Sequence, residues 1–154
     1  LPESVRQRWN PGAGRSPEYY EVLGQLFTLQ QSLLGELSHR GVKLLAGTDA
    51  LNPFCYPGFS VHDELQWMVE GGMTHAAALQ SATLNPALFM GKAHEFGRLA
   101  TGQTGSLIML DANPLEAIRN TRSIHAVFIR GRLLDRKHLD ALLASATEEA
   151  AAPK

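Results

Sequence analysis

Gly47-Thr48-Asp49-Ala50 is the stretch whose residue types and position point most directly to chemistry. It follows residues 42–46, Val-Lys-Leu-Leu-Ala, a short and mostly apolar run that reads as a strand buried on most of its surface. A carboxylate at the end of such a strand is held by a rigid element, where it can act as a general base or as a hard ligand. Taken alone, the tetrapeptide suits a turn or a helix cap better than a catalytic role, because Asp bonds readily to nearby main-chain groups. His62 is the second candidate. It falls in the first turn of a predicted helix, a solvent-exposed position where the helix dipole mildly disfavours its charged form. Cys55 and Tyr56 lie between the two and can line the same site, although no basic neighbour in sequence activates the thiol. The remaining histidines (His39, His75, His94, His125 and His138) show no His-x-His or His-x-x-x-His spacing and are assigned to structure.

The elements that must position these residues are legible from periodicity and caps. After a Pro-, Gly- and Arg-rich opening, Ser16-Pro17 supplies an N-cap and a proline at the first helical position. Apolar residues then recur from Tyr19 to Leu37 at helical spacing, predicting one buried stripe, with Gly41 placed to end the helix. A second helix is expected from Ser60 to the Gly71-Gly72 pair, with Val61, Leu65, Met68 and Val69 on one face. Thr74 caps a third, and Asn85-Pro86 opens a short fourth. After Gly97 the pattern changes: residues 106–110 and 124–130 are strand-like, and 132–134 return beside the second of these. Asn113-Pro114 caps a helical turn between them, and Asp135 caps a last helix carrying Leu139, Leu142, Leu143 and Ala146.

The order of these features resembles one known family. Residues 41–50, Gly-Val-Lys-Leu-Leu-Ala-Gly-Thr-Asp-Ala, are followed by Pro57-Gly58, His62, Glu64-Leu65, Gly72, Ala78-Leu79, Ala82-Thr83 and Asn85-Pro86-Ala87. Gly97, Gly102, residues 107–111, Asn113-Pro114-Leu115 and residues 127–131 continue the pattern. In order and spacing this resembles the amidohydrolase superfamily, in the branch that holds imidazolonepropionases and prolidase-like peptidases. One departure is Gly105-Ser106, where the family usually has Ala-Asp; it touches local packing of the β element rather than catalysis.

The resemblance implies an α/β fold: the C-terminal part of a (β/α)8 TIM barrel plus strands of a small β-sandwich. Residues 1–96 would hold the last barrel helix, the eighth barrel strand and the helices after it, 97–135 the sandwich strands, and 136–154 a C-terminal helix and tail. Asp49 would then stand at the C-terminal end of the eighth strand, the face on which such barrels gather their catalytic groups. The family's aspartate there binds a divalent metal, zinc by preference, and takes the proton of the attacking water. By the same resemblance His62 would contact substrate, either the body of the molecule or its carboxylate. The implied activity is metal-dependent hydrolysis of C–N bonds in a small-molecule amide or dipeptide. The family's other metal ligands, a His-x-His pair and residues of the middle strands, have no counterpart here. A whole barrel needs about 250 residues, and Asp49 alone cannot hold a catalytic metal. The expected partner is therefore the N-terminal remainder of the barrel or further copies of the chain, with the isolated chain inactive. The alternative is a non-catalytic scaffold or assembly piece of the same fold.

Composition narrows the field. The chain has 154 residues, 44% of them hydrophobic, enough for one domain with a core. Its net charge of -1 gives no global field for nucleic acid or an anionic membrane. Arg119, Arg122, Arg130, Arg132, Arg136 and Lys137 alternate with apolar strand positions and read as a solvated face rather than a nucleic-acid surface. No apolar run approaches the roughly 20 residues of a membrane span. A single cysteine excludes an internal disulfide and fits the cytoplasm. The opening Leu1-Pro2-Glu3-Ser4, without Met, leads us to expect a start inside a longer polypeptide.

Overall fold

A computed structural model describes residue 9, residues 14–50 and residues 52–151. Among these described residues, four helices precede a small antiparallel sheet, and a fifth follows it: α1 (Pro17–His39), α2 (Ser60–Glu70), α3 (His75–Ala82), α4 (Leu84–Phe89), β1 (Leu107–Leu110), β2 (Ile124–Ile129), β3 (Arg132–Leu134) and α5 (Arg136–Ala151). A 3-10 turn, Ile118–Arg122, precedes β2.

Local signals set the helix ends. Ser16 accepts a hydrogen bond from the Tyr19 amide and Pro17 occupies the first turn of α1. At its far end Gly41 takes φ +81°, the left-handed conformation that closes helices at least cost. Thr74 caps α3 by accepting from the Ala77 amide at 3.1 Å, and Asp135 caps α5 by accepting from His138 N–H at 2.9 Å. In the sheet, β1 and β3 flank β2, both antiparallel to it. Arg130 and Gly131, with φ +49° and +79°, form the two-residue turn between β2 and β3, the geometry that matches the strands' own twist.

The core lies between α2, α3 and the 3-10 turn. Leu65, Met68, Met73, Ala78 and Ile118 are buried together, with Leu44, Ala46, Val69 and Leu79 packed against them. Burial of each large side chain contributes roughly 1.5–3 kcal/mol. Residues 42–46, expected as a strand, form no ladder on either side among the described residues. Leu44 and Ala46 turn inward while Val42 and Leu45 are exposed, so the segment is covered on one face only. The expected burial on most of its surface is therefore not met, because among the described residues no second layer stands opposite. The stripe of α1 fares likewise. Only Gly35 is buried in that helix, and Leu23, Leu26, Phe27 and Leu33 remain exposed. What α1 does pack is its glycine against α2, where Gly35 meets Gly71 and Gly72 backbone to backbone.

Candidate functional site

The main chain of residues 42–49 is pinned by side chains and helix ends. The Ala46 amide donates to Ser81 O at 3.0 Å, and Asn85 Nδ2 donates to Leu44 O at 2.9 Å. Gly47 N–H donates to Glu64 Oε1 of α2 at 2.7 Å. Two residues on, Asp49 takes φ +50°, a left-handed conformation that costs a non-glycine residue about 1 kcal/mol and that Asp tolerates better than most. Its carboxylate is exposed, and Oδ2 accepts from Asn52 Nδ2. The Asn52 amide donates back to Asp49 O at 3.2 Å, and Cys55 N–H to Asn52 O at 3.0 Å, so consecutive turns carry the loop away from Asp49. Farther along, Phe54 adopts φ +67° and Trp9 packs on Phe54 and Tyr56, ring centroids 5.6 and 5.4 Å apart. Cys55 is a half-buried free thiol.

His62 points elsewhere. Its Nδ1 lies 3.0 Å from Thr121 Oγ1. The Thr121 hydroxyl donates its hydrogen to Ile118 O at 2.8 Å and can only accept from the ring. Nδ1 therefore carries the hydrogen, and in the neutral ring Nε2 holds the lone pair. Burial, then the Arg122 guanidinium beside it, lowers the His62 pKa from its ordinary 6.5, against the opposing pull of Asp63. Asp63 itself pairs with Arg122. Residues 62 and 64 stand about 200° apart around a helix. Glu64 thus faces Gly47 while His62 faces the 3-10 turn, and no hydrogen bond joins His62 to Asp49.

Four of the other histidines make contacts of their own. His75 Nδ1 donates to Leu115 O at 2.7 Å, His125 pairs with Asp111 at 2.8 Å, His94 with Glu95 at 3.5 Å, and His138 with its cap residue Asp135. Among the described residues no three His, Cys, Asp or Glu side chains stand together as a metal site. Asp49 can give a hard oxygen to one coordination position; the described residues do not by themselves fit a resident metal. Reading the sequence alone passed over two groups here, Asn52 and Glu64. Glu64 sits in the matched pattern as Glu64-Leu65, but its target lies 17 residues upstream and nothing local marks it.

Comparison with known proteins places these features in context. The Amidohydrolase family model matches residues 30–134, which hold Asp49, Glu64, His62 and the sheet. Among solved structures, a bottromycin amidohydrolase superposes with a TM-score of 0.83 at 26% identity, covering 98% of this chain and 34% of that one. Ochratoxinase of A. niger gives 0.65 at 30% identity, covering 86% and 30%. A Xaa-Pro dipeptidase with bound methionine in its active site gives 0.61 at 30% identity, covering 68% and 25%. The chain thus spans between 25% and 34% of the length of these structures. No curated protein sequence matches it significantly. Among the described residues no helix is long and apolar enough to cross a membrane.

Proposed function

Because the chain belongs to the amidohydrolase family, we propose that it carries the C-terminal part of the active site of a metal-dependent hydrolase of C–N bonds in small amides or dipeptides. The observation that carries this reading is Asp49: a solvent-facing carboxylate just past an extended segment, held in a left-handed conformation inside the family-matched region. Residues held in sparsely populated backbone conformations cluster at functional sites. Residues 42–46 take the part of the eighth strand of a (β/α)8 barrel, and residues 107–134 that of the sandwich strands.

Asp49 is the general base. Its exposed carboxylate can receive the proton of an attacking water and return it to the leaving nitrogen, while Asn52 fixes which oxygen is free to do so. A divalent ion, zinc for a mixed nitrogen and oxygen donor set, would supply carbonyl polarisation and a more acidic water, with Asp49 as one ligand and the others from outside the described residues. His62 has the substrate-contacting role. With Nδ1–H committed to Thr121, its Nε2 suits an N–H or O–H donor of the substrate better than a carboxylate. The similarity to an amidohydrolase and to a dipeptidase supports amides and dipeptides as the substrate class. The test is Asp49→Asn in an assembly that completes the barrel, assayed for amide and dipeptide hydrolysis. Activity close to wild type would leave Asp49 a turn residue and favour a non-catalytic scaffold.

A further inference from the structure

Glu64 of α2 has a carboxylate that is only half satisfied. One carboxylate oxygen accepts from Gly47 N–H at 2.7 Å, while the other, Oε2, is buried with no hydrogen-bond partner among the described residues. Burying half a carboxylate for one main-chain bond is costly, and such an arrangement persists where the bond it makes is needed. The anchor is firm at its base: Glu64 precedes Leu65 in α2, and Leu65 and Met68 are both buried in the core. The anchored atom is the amide two residues before Asp49, at the point where the extended segment leaves the cover of α3 and turns left-handed.

We infer that Glu64 is a positioning residue for Asp49: its hydrogen bond to Gly47 N–H fixes the end of the extended segment and so the direction of the Asp49 carboxylate toward Asn52. The inference rests on the reading of Asp49 as the functional group, but it predicts a structural coupling that can be measured without turnover. A charge-assisted bond from a rigid helix is stronger than a neutral one and resists the opening that amide exchange requires. Ala46, whose amide bonds to Ser81 O instead, serves as an internal reference for the same segment.

The experiment is residue-resolved amide exchange by NMR on the full 154-residue chain, comparing wild type with Glu64→Leu and Glu64→Gln. Leucine keeps the volume and the helix but removes the acceptor, whereas glutamine keeps an acceptor oxygen. In Glu64→Leu, exchange at Gly47 should rise roughly ten-fold or more while Ala46 stays within about two-fold. The Asn52 side-chain amide protons should shift toward free-amide positions, because their partner carboxylate is no longer held. Glu64→Gln should retain most of the Gly47 protection and the Asn52 signature. Unchanged exchange at Gly47, an equal rise at Gly47 and Ala46, or an Asn52 signal that does not move would each overturn the inference. Activity retained in Asp49→Asn would instead sink the catalytic reading and leave this exchange pattern standing.

Discussion

Gly35 of α1 and Gly71 at the end of α2 approach so closely that a Cβ on Gly35 would stand 2.1 Å from the Gly71 carbonyl oxygen. Gly71 in turn has room for no side chain, its own added Cβ falling 2.5 Å from Gln31 O. These are contacts with main chain, which cannot swing aside as a flexible side chain can. The Phe27–Trp67 ring contact and the bond from Gln31 Nε2 to Trp67 O extend the same seam.

Gly35→Ala should therefore destabilise the fold although alanine favours helices. Forcing α1 off α2 costs roughly 1–3 kcal/mol, more than the gain of up to about 1 kcal/mol from helix propensity. Gly24 lies in the same helix with nothing within 4 Å of an added Cβ, so Gly24→Ala should stabilise by roughly 0.5–1 kcal/mol. Urea melts of both variants decide the matter, and equal stabilisation by the two would show that the close approach is absent in solution.

Asp49→Asn keeps the shape of the side chain and removes the proton acceptor. In an assembly with turnover, kcat should fall by roughly two or more orders of magnitude with little change in melting temperature. Asn52→Ala removes the partner of Oδ2 rather than the base and should cost less. A larger loss for Asn52→Ala than for Asp49→Asn would reverse the roles assigned to the pair.

The pH dependence of stability follows from His62. Its folded pKa is lowered below 6.5, first by burial and then by Arg122. The unfolded chain therefore takes up the proton more readily, and the contribution of the neutral ring is present above about pH 6.5 and lost as pH falls through the folded value. His62→Asn keeps an N–H donor for Thr121 but cannot titrate, so its stability should fall less between pH 7 and 5. Parallel denaturation curves for wild type and variant across that range would refute the assignment. His62→Ala also removes the Nε2 acceptor, and in an active assembly it should raise KM more than it lowers kcat.

Local rules made the helix ends and the hairpin readable: Ser16-Pro17, Thr74, Asp135 and Arg130-Gly131 act on residues within four positions of themselves. The long-range pairs were not readable. His62 meets Thr121 across 59 positions and Glu64 meets Gly47 across 17, and nothing in periodicity encodes such partners. Asp49 was visible because it follows an apolar run and a matching pattern, and Asn52, three residues away, was missed because Asn-Pro reads simply as a turn. The apolar stripe on α1 was correctly periodic, yet periodicity says only that a face is apolar, not that this chain covers it.

That uncovered surface bears on assembly. Leu44 O and Ala46 N–H, on one edge of the extended segment, bond to Asn85 and Ser81, whereas the main-chain groups of Lys43 and Leu45, on the other edge, have no partner among the described residues. Val42, Leu45, Leu23, Leu26, Phe27 and Leu33 are all exposed large apolar side chains. An open strand edge beside apolar surface favours pairing with another chain. The purified 154-residue chain should accordingly self-associate or take up a complementary barrel segment. It should hold zinc only weakly, since fewer than the three or more protein ligands of a zinc site are present among the described residues. Sedimentation velocity, metal analysis and an amide-hydrolysis assay on one preparation test all three expectations. A compact monomer with one tightly held metal per chain and turnover would place the site on other residues than Asp49 and overturn the assembly proposed here.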